Sequence, residues 1–420
     1  RAARGAAAVE LARELHAGVH DYEDLLALDG EGRGLEEACA ELLEAATEDA
    51  EAVEREPFHI YYTSGTTGRP KGVALSHRVV LWHALGCVRE MRLCAEDVWG
   101  HFAPMFHLVD VFAVYAVTLV GGRHVTMPAF AAAPALLAIE RERVSVVNFA
   151  STMVAMLATN PLAPLLDLTS LRLVSCGGSP ASPAVVRAAV ALFGCEFFVS
   201  YGMTETCGKI AMSILPQDLE ALSPVQQLDW VCSSGRPFKL VDVAIVDDEC
   251  GLIQVVQESG GAALAAPVSS RPGELLVRGP TVFEGYLNRP ESRAESFTPQ
   301  GWFRTGDLAT VDARGLLRVV DRKKDMLLVG GENVYTTEVE AALYAHPAVA
   351  AAAVFGVANR VLGELVGAAV TLKEPRVSGQ EAALARELVA WCRARLAEYK
   401  VPSVVHVLDA MPVTGSGKIL

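Results

Sequence analysis

Tyr62-Thr63-Ser64-Gly65-Thr66-Thr67-Gly68-Arg69-Pro70-Lys71-Gly72 is the stretch on which the reading of this chain turns. It follows Phe58-His59-Ile60-Tyr61-Tyr62, an aromatic and β-branched run with strand character. Small and hydroxylated residues let a backbone come close to phosphate oxygens. Successive amides and hydroxyls form an anion-binding concavity, to which Lys71 adds a positive charge. The spacing is not Gly-x-x-x-x-Gly-Lys-Ser/Thr, so the ordinary nucleotide P-loop is excluded. Composition alone leaves a flexible surface loop open as the alternative. The complete string with its Pro70-Lys71-Gly72 ending favours the phosphate reading.

Outward from this loop the pattern is that of an α/β protein. Short β-rich segments at residues 172–175 and 196–200 run into glycine-containing turns, and alanine-rich helical stretches such as 184–193 alternate with them. The apolar run at 109–120 is too short to span a membrane and carries Asp110, so it reads as a buried helix. Residues 1–56 read as helical. Positions 36–56 hold nine acids against one arginine, which makes them a solvated face rather than a partner site. Residues 259–272, with paired glycines, alanines and serines, read as a loop or loosely ordered insertion. Beyond 325 a compact unit is expected: a helix from Thr337, strands near 351–357 and 365–372, and a helix over 381–396. The boundary falls near 321–325.

The chain's 420 residues allow two or three domains. Its net charge of −14 argues against general binding to nucleic acid or anionic membrane. The nine cysteines are dispersed without a C-x-x-C pair or zinc-ligand spacing, which suggests reduced thiols inside a cell, in the cytoplasm or an organelle. Cys176, Cys195 and Cys232 read as small core residues. The first residues, Arg1-Ala2-Ala3-Arg4, have no initiator methionine and no clear signal peptide, so a fragment or a chain with its leader removed is expected.

The loop resembles the phosphate-binding loop of the adenylate-forming superfamily, which includes acyl-CoA synthetases, peptide-synthetase adenylation domains and beetle luciferases. Further motifs occur in that family's order from Thr63 to Lys418, so the likeness covers nearly everything after the first helical segment. It implies an α/β fold with a large, multi-subdomain adenylating domain, incomplete at its start, and a small mobile α+β C-terminal domain. On this chain those are residues 57–322 and 323–420, with 1–56 a helical remnant of the large domain. The implied substrates and cofactors are ATP, Mg²⁺, coenzyme A and a small carboxylic acid.

The motifs assign candidates by the same resemblance. Thr63, Ser64, Gly65, Thr66, Thr67, Gly68 and Lys71 would hold phosphates. Tyr201-Gly202-Met203-Thr204-Glu205-Thr206 resembles the family's YGxTE motif. There Glu205 offers a hard oxygen to magnesium, Thr204 reaches the α-phosphate, and Tyr201 and Gly202 lie near adenine. Ser175-Cys176-Gly177-Gly178-Ser179-Pro180 ends a strand, and Gly177 and Gly178 would border adenine and acyl group, although a plain tight turn is the bland alternative. In Gly301-Trp302-Phe303-Arg304-Thr305-Gly306-Asp307, the Asp307 carboxylate suits two ribose hydroxyls. Asp321-Arg322-Lys323-Lys324-Asp325 would place Arg322 on the ribose and Lys324 at the hinge, against a simple charged linker. Val329-Gly330-Gly331-Glu332-Asn333-Val334-Tyr335 resembles the loop that leaves room for a pantetheine arm at Gly330 and Gly331. Relatives commonly have proline after that tyrosine, and Thr336 is expected to matter little. Pro412-Val413-Thr414-Gly415-Ser416-Gly417-Lys418-Ile419 resembles the terminal lysine motif, with Lys418 on the adenylate oxygens.

The acid pocket is less legible. In Pro104-Met105-Phe106-His107, His107 is an orienting candidate, and a packed core histidine is the alternative. Asn148-Phe149-Ala150-Ser151-Thr152-Met153 stands where many relatives have a Val-Pro-Pro turn. The apolar surroundings suit an aliphatic or aromatic acid such as a fatty acid, a cinnamate or a succinylbenzoate. Two readings compete with a CoA ligase: an adenylation domain that loads a carrier-protein phosphopantetheine, and an inactive nucleotide- or acyl-binding homologue. The complete set Lys71, Glu205, Asp307, Arg322 and Lys418 weighs against the second.

Overall fold

The structure, a computed structural model, describes residues 54–63, 70–178, 183–215, 222–246, 253–257, 269–374 and 381–412. The helical reading of 1–56 therefore lies almost wholly outside the described residues. Strand β1 (Pro57–Thr63) pairs antiparallel with β2 (Lys71–Ser76), with Thr63 directly opposite Lys71. The two strands form an antiparallel pair, and residues 64–69 between them lie outside the described residues. Val73 and Leu75 of β2 are fully buried. Ser76 ends the strand and starts α1 (His77–Glu90), its hydroxyl accepting from the Val79 amide at 3.4 Å.

A seven-stranded sheet forms the centre of the larger part. Five strands are parallel: β3 (Val98–His101), β4 (Arg123–Thr126), β5 (Val146–Phe149), β6 (Leu173–Gly177) and β7 (Glu196–Tyr201). The antiparallel β8 (Ala211–Met212) and β9 (Arg236–Pro237) extend it, in the order β4-β3-β5-β6-β7-β8-β9. Every residue of β5 and β6 is buried, as a parallel sheet covered on both faces requires. Alternate residues go to opposite layers. Val146, Leu173 and Phe198 pack with α1 and with α2 (Leu108–Leu119). Val147, Phe149 and Val174 pack with α3 (Ala132–Glu142), α4 (Ser151–Ala158) and α5 (Pro183–Phe193). Parallel direction brings the carboxyl ends of β3, β6 and β7 to one edge, where open α/β sheets bind ligands.

The buried helix expected at 109–120 is α2. Its one acid, Asp110, is fully buried and accepts from Trp99 Nε1 at 3.1 Å and bonds His101 Nδ1 at 2.7 Å. Among the described residues no helix is long and apolar enough to cross a membrane.

Helix α6 (Pro224–Val231), which buries Trp230, leads to an antiparallel sheet in the order β11-β10-β12-β13-β14. Its strands are β10 (Asp242–Val246), β11 (Ile253–Gln257), β12 (Ser269–Arg278), β13 (Phe303–Val311) and β14 (Leu317–Arg322), with the short α7 (Ser292–Ser296) before β13. This corrects the end of the loop or insertion expected over 259–272: its last four residues belong to β12, and residues 259–268 lie outside the described residues. The register slips between Ser269↔Val311 and Gly273↔Ala309. That irregularity accommodates Pro272, which lacks an N–H for the ladder.

After β14 the chain enters a different sheet. Strands β15 (Leu327–Val329) and β16 (Glu332–Val334), helix α8 (Thr336–Tyr344), β17 (Val349–Asn359), β18 (Gly363–Leu372), helix α9 (Glu381–Arg393) and β19 (Val404–Val407) follow. The order is β16-β15-β18-β17, with β19 parallel to β18. Val334, Leu343, Val370, Leu388 and Cys392 are fully buried in a core of this unit's own.

Candidate active site

The hairpin carrying the phosphate-loop candidates is tied to a distant segment. Thr63 Oγ1 donates to the Lys71 carbonyl at 3.4 Å, the Leu287 amide donates to the Gly72 carbonyl at 2.8 Å, and Val73 bridges to Tyr286. Lys71 Nζ lies 4.8 Å from the centre of the Tyr286 ring, within cation–π range. The Tyr286 hydroxyl donates to Glu205 Oε1 at 2.8 Å, and the Phe283 amide donates to the Glu205 carbonyl at 2.8 Å. Lys71 and Glu205 thus meet on one tyrosine. Burial and the neighbouring Glu205 carboxylate raise the Tyr286 phenol above its ordinary pKa, which keeps it a donor.

Glu205 is aimed by a tight turn. A Cβ at Gly202 would stand 1.4 Å from the Gly208 carbonyl oxygen, so only glycine lets the chain fold back there. Thr204–Thr206 make one 3₁₀ turn, Cys207 is left-handed at φ 56°, and the Ile210 amide closes onto the Tyr201 carbonyl at 2.8 Å. Thr204 opens that turn, half-buried.

Asp307 on β13 pairs with Arg322 on β14. Its Oδ2 accepts from the Tyr201 hydroxyl at 2.5 Å, and its Oδ1 lies 3.7 Å from Arg322 Nε. Burial raises the Asp307 pKa, opposed by the Tyr201 hydrogen bond and the Arg322 charge and reinforced by Glu205 and Asp321. Tyr201 ends the strand that leads into the Glu205 turn, so its bond ties Asp307 to that turn. Burial, then the Asp307 charge, raises the Tyr201 phenol.

Gly177 and Gly178 follow at the carboxyl end of β6. A Cβ on Gly177 would lie 2.6 Å from Ser200 Oγ and 3.2 Å from Val109 Cγ2, while Gly178 has φ +84°. His107 immediately precedes α2, its ring 4.6 Å from that of Phe106, which is 64% exposed. Lys324 is exposed, with Nζ 3.7 Å from Asp325 Oδ1. Gly330 (φ +60°) and Gly331 (φ +92°) are exposed in the smaller unit. Gly330 faces Leu362, and a Cβ on Gly331 would meet open space. Lys418 and residues Ser64 to Gly68 lie outside the described residues.

Three features escaped the sequence. Tyr286 follows an unremarkable Glu284-Gly285 pair, and nothing in its spacing signals that it joins Lys71 to Glu205. Asn148 is fully buried, with Oδ1 accepting from Ser175 Oγ at 2.6 Å and Nδ2 without a partner among the described residues. Its replacement of a Val-Pro-Pro turn was the available signal. Thr336 is bonded to Asp321, a contact that a proline at this position cannot make.

No group of three or more His, Cys, Asp or Glu among the described residues could hold a metal ion. One oriented carboxylate beside a lysine fits Mg²⁺, which is held mainly by water and substrate phosphates rather than by a protein cage.

Residues 6–287 match the family model described as AMP-binding enzyme, and residues 338–418 match the AMP-binding enzyme C-terminal domain. A feruloyl-CoA synthase of an Amycolatopsis species is 38% identical over 364 residues, 86% of this chain and 68% of its own length. A 2-succinylbenzoate–CoA ligase of Bacillus subtilis is 33% identical over 389 residues, covering 90% of this chain and 72% of that protein. The solved Bacillus subtilis o-succinylbenzoate CoA synthetase, in complex with its acyl-adenylate intermediate, superposes with a TM-score of 0.72 at 32% identity, covering 91% of this chain and 72% of that one. The same enzyme with ATP and magnesium ion gives 0.73, with 91% and 73% covered. These likenesses carry the α/β architecture of a large N-terminal and a small C-terminal domain.

Proposed function

We propose, for a chain that belongs to the AMP-binding enzyme family, ATP-dependent activation of a carboxylic acid as acyl-AMP, followed by transfer of the acyl group to coenzyme A. A carboxylate oxygen attacks the α-phosphorus of ATP, and the bond to pyrophosphate breaks. The thiol of coenzyme A then attacks the acyl carbon, loses its proton, and AMP leaves. Two anions meet in the first step, so catalysis is chiefly positioning and charge compensation. Mg²⁺, when bound, neutralises phosphate charge. Glu205 is its carboxylate, oriented by Tyr286, and Lys71 with the loop from Thr63 receives the phosphates. Thr204 meets the α-phosphate. Asp307 and Arg322 hold the ribose, with Tyr201 fixing the Asp307 carboxylate.

His107 orients the acid. Lys418 holds the carboxylate and bridging oxygens in line, and Gly330 and Gly331 admit the pantetheine arm after the small unit turns about Lys324. The units are residues 57–322 and 323–420. The acid is aliphatic or aromatic, and the aryl acids in the relatives' names favour the aromatic class. An intracellular setting is supported by free thiols at all seven described cysteines.

The observation that carries this reading is the meeting of Lys71 and Glu205 on Tyr286, with Tyr201, just before the Glu205 turn, bonded to Asp307. The test is an acid panel with ATP, Mg²⁺ and coenzyme A, with product masses read directly. Lys418→Ala then impairs pyrophosphate exchange and spares thioester formation from supplied acyl-adenylate, and a bulky residue at Gly331 does the reverse. Equal damage to both half-reactions by both variants removes the two-orientation account.

A further inference from the structure

We infer that Asp321 and Thr336 form a latch that holds the small unit in its present orientation. The inference rests on the proposed turn of this unit about Lys324 and concerns how that turn is controlled.

Asp321 is the penultimate residue of β14, on the large-domain side of the linker, and Thr336 begins α8, on the small-unit side. Both are about 5% exposed. The Thr336 hydroxyl lies 2.9 Å from Asp321 Oδ2 and 3.1 Å from Oδ1, and the Thr336 amide donates to the same carboxylate. Beside it, Thr337 Oγ1 donates to the Val320 carbonyl. The intervening Arg322, Lys323, Lys324 and Asp325 are all exposed. The chain connection is therefore solvated, while the bonds across it are dry. Hydrogen bonds to a buried carboxylate are stronger than neutral ones and are not readily exchanged for water.

The carboxylate also touches the nucleotide side. Asp321 Oδ1 accepts from the amide of Arg322, the ribose candidate, at 2.7 Å. Relatives with proline at the Thr336 position have neither the amide hydrogen nor the hydroxyl, and lack this latch by construction of the side chain. Asp321 and Thr336 are positioning residues, since neither touches the reacting atoms.

Thr336→Pro is the decisive variant because the helix tolerates it. Thr336 is the first residue of α8, where proline is favoured, and Tyr335 already has the extended backbone (φ −83°, ψ 121°) that a following proline demands. Thr336→Val removes the hydroxyl and keeps the amide, giving an intermediate. The first readout is tryptic cleavage after Arg322, Lys323 and Lys324 in the unliganded protein, which needs no activity. The second is thioester formation from supplied acyl-adenylate and coenzyme A.

Cleavage is expected to rise, and the thioester rate to change, by about tenfold in Thr336→Val, the factor for losing one hydrogen bond to a charged group, and by more in Thr336→Pro, which loses two. Unchanged cleavage overturns the latch. Faster cleavage with an unchanged thioester rate also overturns the proposal, because the bonds then do not govern the turn. A wild-type protein inactive on every acid defeats the enzymatic reading instead, and the cleavage ratio still reports whether Asp321 and Thr336 restrain the unit.

Discussion

Replacing Tyr286 by phenylalanine separates two roles that one side chain combines. The ring stays beneath Lys71, at 4.8 Å, and against Phe283, at 4.9 Å between centres. Only the hydroxyl that donates to Glu205 Oε1 at 2.8 Å is lost. A hydrogen bond to a charged group contributes about 1.5–3 kcal/mol. Removing a group that orients a metal-ligating carboxylate typically costs about 10–100-fold in metal affinity or activity. The assay is pyrophosphate exchange at fixed ATP across a titration of free Mg²⁺. The half-saturating Mg²⁺ is expected to rise by about 10–100-fold, with the rate at saturation falling less. Tyr286→Ala, which also removes the ring under Lys71, is expected to lose rate at saturating Mg²⁺ as well. A Tyr286→Phe protein with the wild-type Mg²⁺ curve would refute the assignment of Glu205 as an oriented ligand.

Asp307→Asn is expected to raise the KM for ATP by about tenfold, the loss of one charge-assisted hydrogen bond, with the fold intact by circular dichroism. Because burial raises the Asp307 pKa and binding uses its ionised form, ATP affinity should fall on acidification, beginning above the region around 3.8 where an ordinary aspartate titrates. A binding curve flat down to that region counts against it. Glu340 on α8 has its pKa pushed up to about 7, first by burial and then by Asp321 and Asp325, against a hydrogen bond from the Val354 amide. Its folded pKa lies above the unfolded 4.5, so its contribution is complete below 4.5 and is lost as pH rises through about 7. Glu340→Gln can still accept from Val354 and should stabilise the small unit at pH 8 by about 1–3 kcal/mol relative to wild type, and by much less at pH 5, in denaturant melts. Gly202→Ala should prevent folding or cost more than about 4 kcal/mol, since its Cβ would overlap the Gly208 carbonyl at 1.4 Å. Gly331→Ala, whose Cβ meets open space, should cost only about 1–2 kcal/mol for its left-handed backbone. Equal melting temperatures for these two variants would contradict the close-packed turn.

The elements that read correctly from sequence are those governed by local chemistry. Alternation of short apolar strands with alanine-rich helices placed β6, α5 and β7, and a charge inside an apolar run marked α2 as a buried helix. The turn after β7 was legible because glycine at 202 and a small-residue cluster leave few alternatives for the backbone. The 259–272 stretch misled at its end because glycine, serine and proline signal loops when read locally, whereas Ser269 and the residues after it are drawn into β12 by pairing with β13. Neighbours remote in sequence supplied those bonds.

Asp321 and Thr336 illustrate the same limit at the site. Read along the chain, a threonine for proline exchange after Tyr335 carries no visible consequence, because its partner is on another sheet. Asn148 likewise announced only a departure from a familiar turn, and its unpaired buried amide became visible when β5 and β6 were laid side by side.

Residue order alone pointed to a phosphate-binding loop after β1 and determined the α/β sheet that follows it, because spacing, turn chemistry and periodicity are local properties. That Tyr286 joins Lys71 to Glu205, that Tyr201 clamps Asp307 and that Asp321 grips Thr336 was decided only by the tertiary structure. Each is a hydrogen bond or ring contact between elements that the sheet order, and not the sequence, makes neighbours.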